Sequence, residues 1–569
     1  MPSQCSSTSI VYTMYAAEFI GEVERQTPSA RSNRIGKLHH CKQSAAFREP
    51  IFITSRDSSH SFDSPTLESH TLLTRAHLSS SPSLTTTTPQ NCRLVRWSST
   101  NTPTGPATHS LDRKGWENRI TEIRNVYHEP YPRMAVDKRS ISSDEFHSKY
   151  DYLKPNETAE QDYVVIYGRI QSARIAGSKL IFLDLVQNGR KVQVLCNQRH
   201  LDSLGVTPEK FKQFYHLLRR GDVFSVIGHP HRTSRRELSV AASQLPKLIT
   251  PCLHDVPLRM KYQESSPYDR HVQLLYSPTA ADILRARSSV IQYIRSFFLD
   301  RSFMEVETPI LASVAGGLDK THNPEFTTCE FYHAFADLET LITLTESFFT
   351  GLDRHIHHLN ETLETLSPTT TSFATPFRRL DFIPDLETAM CHKLPDFTTT
   401  PTEEATKTVI QLFEQLSHPL PTNPNLPRLL DRLSAIYLEP QCKDPTFIVN
   451  HPECLSPLSK SFTHPACGQT VAARAELFID QREVVNMYEE ENSPFEQRRK
   501  FEIQLGFQVP AVEAEGKMDE NYLQALQWGL PPTGGWGCGV DRLCMLFTGA
   551  RRIGDVLSFG NLRSVTRSE

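Results

Sequence analysis

Two hydrophobic periods divide the chain. Between residues 163 and 242, apolar and polar positions alternate in short runs, as in half-buried strands. Runs at 163–168, 180–185, 192–195 and 223–228 are followed by a shorter one at 238–240. Asn188-Gly189, between the second and third, signals a tight hairpin because both residues tolerate positive φ. A helical stretch over 208–218 separates the third and fourth runs. Five strands with a helix after the third predict an OB-fold barrel over residues 156–255.

Further on, the period lengthens. Ile283, Ala286, Val290, Ile294 and Phe297 recur every three or four residues, so 279–299 is predicted to be a helix with one apolar stripe. From Phe303 to Ile310 apolar and acidic residues alternate as in a strand, which Pro309 ends. Trp116, Ile120, Ile123 and Val126 carry helical spacing too. Residues 112–155 therefore read as a helical linker, broken by Pro130 and Pro132.

The first 111 residues show neither period. Between Ser69 and Ser110 there is no Asp or Glu, while Arg75, Arg93 and Arg96 remain. Ser-rich, Arg-bearing, acid-poor composition is that of an organelle transit peptide, or of a tail that cannot bury enough surface to fold. Residues 1–111 are assigned to that role. The mitochondrial matrix is the expected destination and the cytoplasm the alternative.

Composition narrows the class. The 569 residues are 38% hydrophobic with mean hydropathy −0.40. No apolar run approaches the ~20 residues that span a bilayer, so no membrane partner is expected. A net charge of −4 excludes a polycation. It leaves room for local basic surface, such as Arg169, Arg174, Lys179, Arg190 and Lys191 in the barrel. Twelve cysteines without a C-x-x-C pair argue against a zinc ribbon or a secreted disulfide framework. His355, His357 and His358 read as a solvated helix face rather than a metal site.

Three blocks carry the chemistry. The first runs from Thr321 through His322-Asn323 to Glu330-Phe331-Tyr332. The second, Glu476 to Glu490, is predicted to be a hairpin turning at Asp480-Gln481. It places Asn486, Tyr488 and Glu490 on one strand face. Glu483 has the other parity and needs a bulge or a turn position to join them. The third, Gly529 to Leu543, holds Gly534-Gly535-Trp536-Gly537-Cys538-Gly539 and then Val540-Asp541-Arg542. Its glycines allow close backbone approach to a ligand. A helix beginning near Val540 would aim its N-terminus and Arg542 at that ligand.

With these blocks in this order the chain resembles the class II aminoacyl-tRNA synthetases, and among them the lysyl-tRNA synthetases. Pro531-Pro532-Thr533-Gly534-Gly535 favours lysine over the aspartate and asparagine relatives. The resemblance implies an α+β chain: an OB-fold that binds the anticodon, then an antiparallel-sheet catalytic domain over residues 265–569. It implies a lysine–tRNA ligase that forms lysyl-adenylate from lysine and ATP, with Mg²⁺, and passes lysine to the 3′ end of lysine tRNA as a homodimer. By similarity, His322, Asn323, Glu483, Val484, Gly539, Val540, Asp541 and Arg542 bind ATP, with Arg542 and Glu483 catalytic. Glu476 and Glu483 would hold the metal, as hard carboxylates do. Gly317, Glu330, Tyr332, Asn486 and Glu490 form the lysine pocket, where a buried ammonium requires paired acids. In the barrel, Arg174, Phe182, Gln193 and Glu237 match the anticodon contacts. By strand alternation alone, Phe182 could equally be barrel core and Gln193 a solvated strand residue.

One departure stands out. Ala315-Gly316-Gly317 is followed at once by Leu318-Asp319-Lys320-Thr321. In the family a stretch of some fifty residues separates these points, and it carries a strand whose Arg grips the ATP α-phosphate. Either the working enzyme is longer than this chain, or the chain is a non-catalytic derivative that binds tRNA or another partner.

Overall fold

The structure, a computed structural model, describes residues 8–16, 113–256, 270–308, 325–507 and 518–559, apart from isolated positions within these stretches. Gly317, His322 and Asn323 lie outside the described residues. So does the tail, except for one strand, β1 (Thr8–Ala16). The chain forms two compact units.

The first unit begins with α1 (Arg113–Arg124) and α2 (Ser143–Tyr150), within the predicted linker. Ser142 and Glu145 form a capping box that starts α2. Then come β2 (Val164–Ile175), β3 (Leu180–Gln187), β4 (Arg190–Asn197), α3 (Gln198–Asp202), α4 (Pro208–Leu217), β5 (Val223–Arg232), β6 (Leu238–Ala242) and β7 (Lys247–Thr250). Strands pair in the order β2-β3-β4-β6-β5, and β2 pairs back to β5. That closes the predicted five-stranded barrel, which removes free sheet edges. Asn188 and Gly189 both take positive φ in the β3–β4 turn. Alternate residues, among them Ile181, Leu183, Leu185, Val192 and Val194, fill the interior. Arg119 of α1 is buried against Asp222 at 2.9 Å, tying the linker to the barrel.

The second unit is built on one sheet. Its elements are α5 (Arg270–Tyr276), α6 (Pro278–Leu299), β8 (Phe303–Glu307), β9 (Glu325–Ala334), α7 (Leu338–Asn360), β10 (Arg378–Asp381), α8 (Phe382–Met390), α9 (Thr402–Gln415), α10 (Leu426–Tyr437) and β11 (Thr446–Val449). After a small hairpin, β12 (Ser461–Thr463) and β13 (Thr470–Ala472), come β14 (Arg474–Ile479), β15 (Arg482–Glu489), α11 (Pro494–Gly506), α12 (Glu520–Leu526), β16 (Thr533–Gly539), α13 (Val540–Thr548) and α14 (Ile553–Val556). The sheet order is β10-β11-β14-β15-β16-β9-β1-β8. The α6 stripe is buried as predicted, from Ile283 to Phe297. Phe298 of α6, Phe331 and Trp536 pack on one face of the sheet, with Phe331 and Trp536 stacked at 5.0 Å. This leaves the other face for a ligand. Helices α8, α9 and α10 carry a separate apolar cluster, including Leu386, Val409 and Leu430.

Candidate active site

The free face follows from register. Glu330 on β9 sits opposite Gly537 on β16, Gly537 opposite Asn486 on β15, and Asn486 opposite Glu476 on β14. Two residues along, Tyr332, Gly535, Tyr488 and Arg474 form a second row. Residues directly opposite share a face, so both rows look the same way. On β16 that face carries Gly535, Gly537 and Gly539 after Thr533 at the strand's start, while Trp536 and Cys538 point into the core. The alternation cuts a trough between flanking strands, about 13 Å long from Gly535 to Gly539 at strand spacing.

The space is tight. A Cβ at Gly535 would lie 1.9 Å from Glu490 Oε1. We expect Gly535→Ala to push the Glu490 carboxylate aside and weaken binding of a primary ammonium at this end of the trough at least about tenfold, a loss of ~1.4 kcal/mol. Calorimetric titration of an alkylammonium ligand into the native and variant chains checks it.

At one end of the trough stand two acids. Glu490, just past β15, is 5% exposed, and its Oε1 has no hydrogen-bond partner among the described residues. Its N–H donates to the Thr533 carbonyl at 2.8 Å, fixing the backbone. Burial, and then the neighbouring Glu330, push the Glu490 carboxyl up to about 8. Burial raises Glu330 as well, against a hydrogen bond from Thr328 Oγ1 at 3.2 Å. A buried and a half-buried acid side by side favour a cation between them. Tyr488, opposite Gly535, stands by them, and burial first, then Glu490, keeps its phenol protonated.

At the other end β16 runs directly into α13. Arg542, in the first turn of α13, donates from Nη1 to the Glu483 carbonyl at 2.9 Å and lies 3.6 Å from Glu483 Oε2. The predicted bulge is present. The register between β14 and β15 shifts at Leu477/Phe478, and Glu483 pairs with Phe478, on the Glu476 side. Asp480 and Gln481 take positive φ in the two-residue turn. Burial alone would raise the Glu476 carboxyl, but His451 and Arg474 outweigh it and hold it down to about 2. Burial also favours the neutral imidazole of His451, so Arg474 is the lasting cation. His451 Nε2 meets Glu476 Oε2 at 3.1 Å, and Arg474 reaches Glu476 Oε1 and, through Nε, Asn486 Oδ1 at 3.0 Å. The Glu483 carboxyl is raised by burial and by Glu476, which Arg542 only partly offsets. A cavity of about 480 Å³ opens here, lined by Arg474, Glu476, Glu483, Arg542 and Arg551, with Glu439 on its wall. Glu439 is raised to about 7 by burial and then by Asp431 and Glu476.

The structure therefore brings Glu330, Tyr332, Asn486, Glu490, Glu476, Glu483 and Arg542 to one face. Asp541 does not join them. It is buried, accepting from Arg287 Nη1 at 2.5 Å and from the Thr327 N–H at 2.7 Å, and so ties α13 to α6 and β9. Val484 and Val540 point into the core, leaving only their backbones to the site. Arg474, His451 and Arg551 were missed. The first could have been found, since it precedes Glu476 by two residues on the same strand face.

In the barrel, Arg174 lies over the ring of half-buried Phe182 at 5.6 Å. Gln193 is buried rather than solvated and accepts from Ser239 Oγ at 3.1 Å. Glu237 pairs with Lys191 at 2.8 Å. His355 is not simply solvated either, since it bonds to Ser289 Oγ at 2.8 Å. No group of three or more metal-ligating side chains occurs among the described residues, nor does a helix there have the length and apolarity to cross a membrane.

The model for tRNA synthetases class II (D, K and N) matches residues 263–318 and 315–563, and that for an OB-fold nucleic acid binding domain matches 164–248. The two synthetase matches overlap at residues 315–318, across the junction after Gly317. A mitochondrial lysine–tRNA ligase of Schizosaccharomyces pombe is 33% identical, over 76% of this chain and 91% of that protein. A lysine–tRNA ligase of Cladosporium cladosporioides is 32% identical, over 78% and 82%. One of Deinococcus radiodurans is 30% identical, over 72% and 84%. The Cladosporium comparison spans 504 aligned positions but takes in 78% of these 569 residues, so about sixty positions have no counterpart here.

Proposed function

This chain belongs to the class II tRNA synthetases, among the lysine–tRNA ligases, and on that premise we propose how its own residues divide the reaction. A lysine–tRNA ligase joins lysine to ATP as lysyl-adenylate, releases pyrophosphate, and passes lysine to the tRNA 3′ end. The observation that carries our reading is the pair of acids, Glu490 buried and Glu330 half-buried, at the head of a glycine-floored trough. Glu490 and Glu330 take the lysine ε-ammonium, with Tyr332 and Asn486 beside them; the family resemblance assigns Gly317 to the same pocket. A substrate carrying a carboxylate or amide there would leave two acids without a cation, which disfavours aspartate and asparagine.

An extended lysine lying along β16 points its carboxylate toward Gly539 and Arg542. Arg542 grips the nucleotide phosphates, and Gly539 and the backbones of Val484 and Val540 border the nucleotide; the family resemblance alone assigns His322 and Asn323 to it. Asp541 serves by holding α13 in place. In-line attack of the lysine carboxylate on the α-phosphorus then needs positioning and charge neutralisation more than covalent help. Glu476 and Glu483 would hold Mg²⁺, which screens phosphate charge when bound. The raised Glu483 carboxyl beside Glu476 supports this fit, because a cation relieves their repulsion.

The barrel reads the anticodon through Arg174, Phe182, Gln193 and Glu237. We expect Phe182→Ala to weaken lysine tRNA binding by roughly 1–3 kcal/mol, the usual worth of one base–aromatic stack. ATP–pyrophosphate exchange should be unchanged, and filter binding beside the exchange assay checks both. Exposed Leu275 and Leu299, near the ends of α5 and α6, support pairing of two copies. The acid-poor tail and the mitochondrial relative support the mitochondrial matrix as destination.

Lysine-dependent exchange of pyrophosphate into ATP tests the reading. We expect exchange with lysine and none with aspartate or asparagine. Exchange driven by aspartate, or none from either this chain or a version with the segment after Gly317 restored, would overturn it.

A further inference from the structure

One cation touches both an acid at the nucleotide end and the amide in the middle of the trough. Arg474, on β14 two residues before Glu476, has a side chain only 15% exposed. Its Nη2 reaches Glu476 Oε1. Its Nη1 donates to the Leu455 carbonyl at 2.9 Å and to Ser456 Oγ at 3.1 Å, at the end of a short 3₁₀ turn over Glu453–Leu455. Its Nε donates to Asn486 Oδ1 at 3.0 Å. As counter-ion to Glu476, the residue needs only the first of these contacts. The others fix the plane of the guanidinium and aim its Nε at β15.

The Nε contact decides which way the Asn486 amide faces. An amide carries oxygen on one side and NH₂ on the other, in nearly the same shape. A guanidinium has donors only, so the atom turned to Arg474 is Oδ1. Asn486 stands between Glu476 of β14 and Gly537 of β16. With Oδ1 held toward β14, Nδ2 is left on the Gly537 side, over the trough floor. Nδ2 has no hydrogen-bond partner among the described residues, and Gly537 has no side chain to cover it. Two N–H donors therefore face the trough about 7 Å along β16 from Gly535, beside which Glu490 stands. Donors at that place suit an anionic oxygen on a ligand whose ammonium lies at the acids. The opposite amide orientation would present an oxygen there and repel it.

We propose that Arg474 is a positioning residue for the amino acid: by holding Asn486 Oδ1, it keeps the amide NH₂ toward the trough, where it donates to the lysine carboxylate. The inference rests on reading the trough as the lysine site. It adds the residue through which that site reads the carboxylate as well as the ammonium. Arg474 acts through Asn486 and does not itself touch the ligand.

Arg474→Lys is the informative variant, because an ammonium keeps a cation beside Glu476 but has no Nε to hold the amide. Calorimetry on the full chain compares lysine with cadaverine, which is lysine without its carboxylate. The variant should bind lysine roughly ten- to hundredfold more weakly than the native chain, the worth of one hydrogen bond to a charged group. It should bind cadaverine as the native chain does, which a general loosening of the site would not allow. Asn486→Ala should lose at least as much lysine affinity, and adding Arg474→Lys to it should cost nothing further, since one residue acts through the other. Asn486→Asp keeps an oxygen for Arg474 and turns the NH₂ into a second oxygen. It should lose lysine and keep cadaverine, whether or not the Lys variant folds. Equal weakening of both ligands by Arg474→Lys, additive losses in the double variant, or normal lysine binding by the Asp variant would overturn the proposal. Lysine binding left intact by Arg474→Lys would overturn this proposal alone, whereas a native chain that binds neither ligand would overturn the reading of the trough with it.

Discussion

Glu490→Gln should abolish most lysine-dependent ATP–pyrophosphate exchange, lowering kcat/KM for lysine by about 10²–10³-fold, since removing one member of a buried charge pair costs ~3–5 kcal/mol. The amide is nearly isosteric, so the trough keeps its shape and only the charge is lost. The same variant should be more stable than the native chain when no lysine is bound. Burial and Glu330 raise the Glu490 carboxyl from 4.5 to about 8. The unfolded chain therefore sheds this proton at lower pH than the folded one, and native stability falls as pH rises from 4.5 to about 8. A neutral amide escapes that loss. Thermal melts at pH 5 and pH 8.5 should show Glu490→Gln gaining over the native chain only at the higher pH. A variant that exchanges normally, or that melts lower at pH 8.5, would mean that Glu490 is not the buried acid awaiting a cation.

Arg542→Ala should reduce kcat for exchange by about 10²–10³-fold, the usual loss on removing a transition-state donor. Lysine binding, at the opposite end of the trough, should be little changed. Arg542→Lys should recover only part of the rate, because a point charge cannot reproduce the two-pronged grip of a guanidinium on phosphate. The Ala variant also strips Glu483 of its counter-charge, so the Glu483 carboxyl should rise further and the rate loss should be deepest at low pH. Single-turnover rates with lysine and ATP, set beside calorimetric lysine binding, separate the two ends. An unchanged rate would place the cation away from the reacting phosphates.

Much of this was legible in the sequence because burial on one face leaves a period. The barrel strands, the α6 stripe and the turn at Asp480-Gln481 all follow from spacing. Parity required either a bulge or a turn position to bring Glu483 beside Glu476, and the structure uses a bulge. The alternation Gly535, Gly537, Gly539 also marked the face of β16 that stays open, since Trp536 and Cys538 between them can only be core. What escaped were long-range partnerships. Asp541 sits in a ligand-like block, yet its carboxylate is spent on Arg287 and Thr327, residues far off in the chain. Gln193 is buried because Ser239 on a distant strand satisfies it. Helices α8–α10 form their own cluster, and no motif announced them. Strand β1 lies in a segment whose composition promised no fold.

The central claim is that one ammonium completes the paired acids Glu490 and Glu330, and calorimetric proton counting of lysine binding tests it most directly. With the Glu490 carboxyl near 8, it is mostly protonated at pH 7 and must ionise to accept the ammonium. Titrations in buffers of different ionisation enthalpy should show close to one proton released per lysine at pH 7, and almost none above pH 9. Norleucine, which lacks the ammonium, should not bind. Lysine binding with no proton released at pH 7, or norleucine binding as tightly as lysine, would contradict the account.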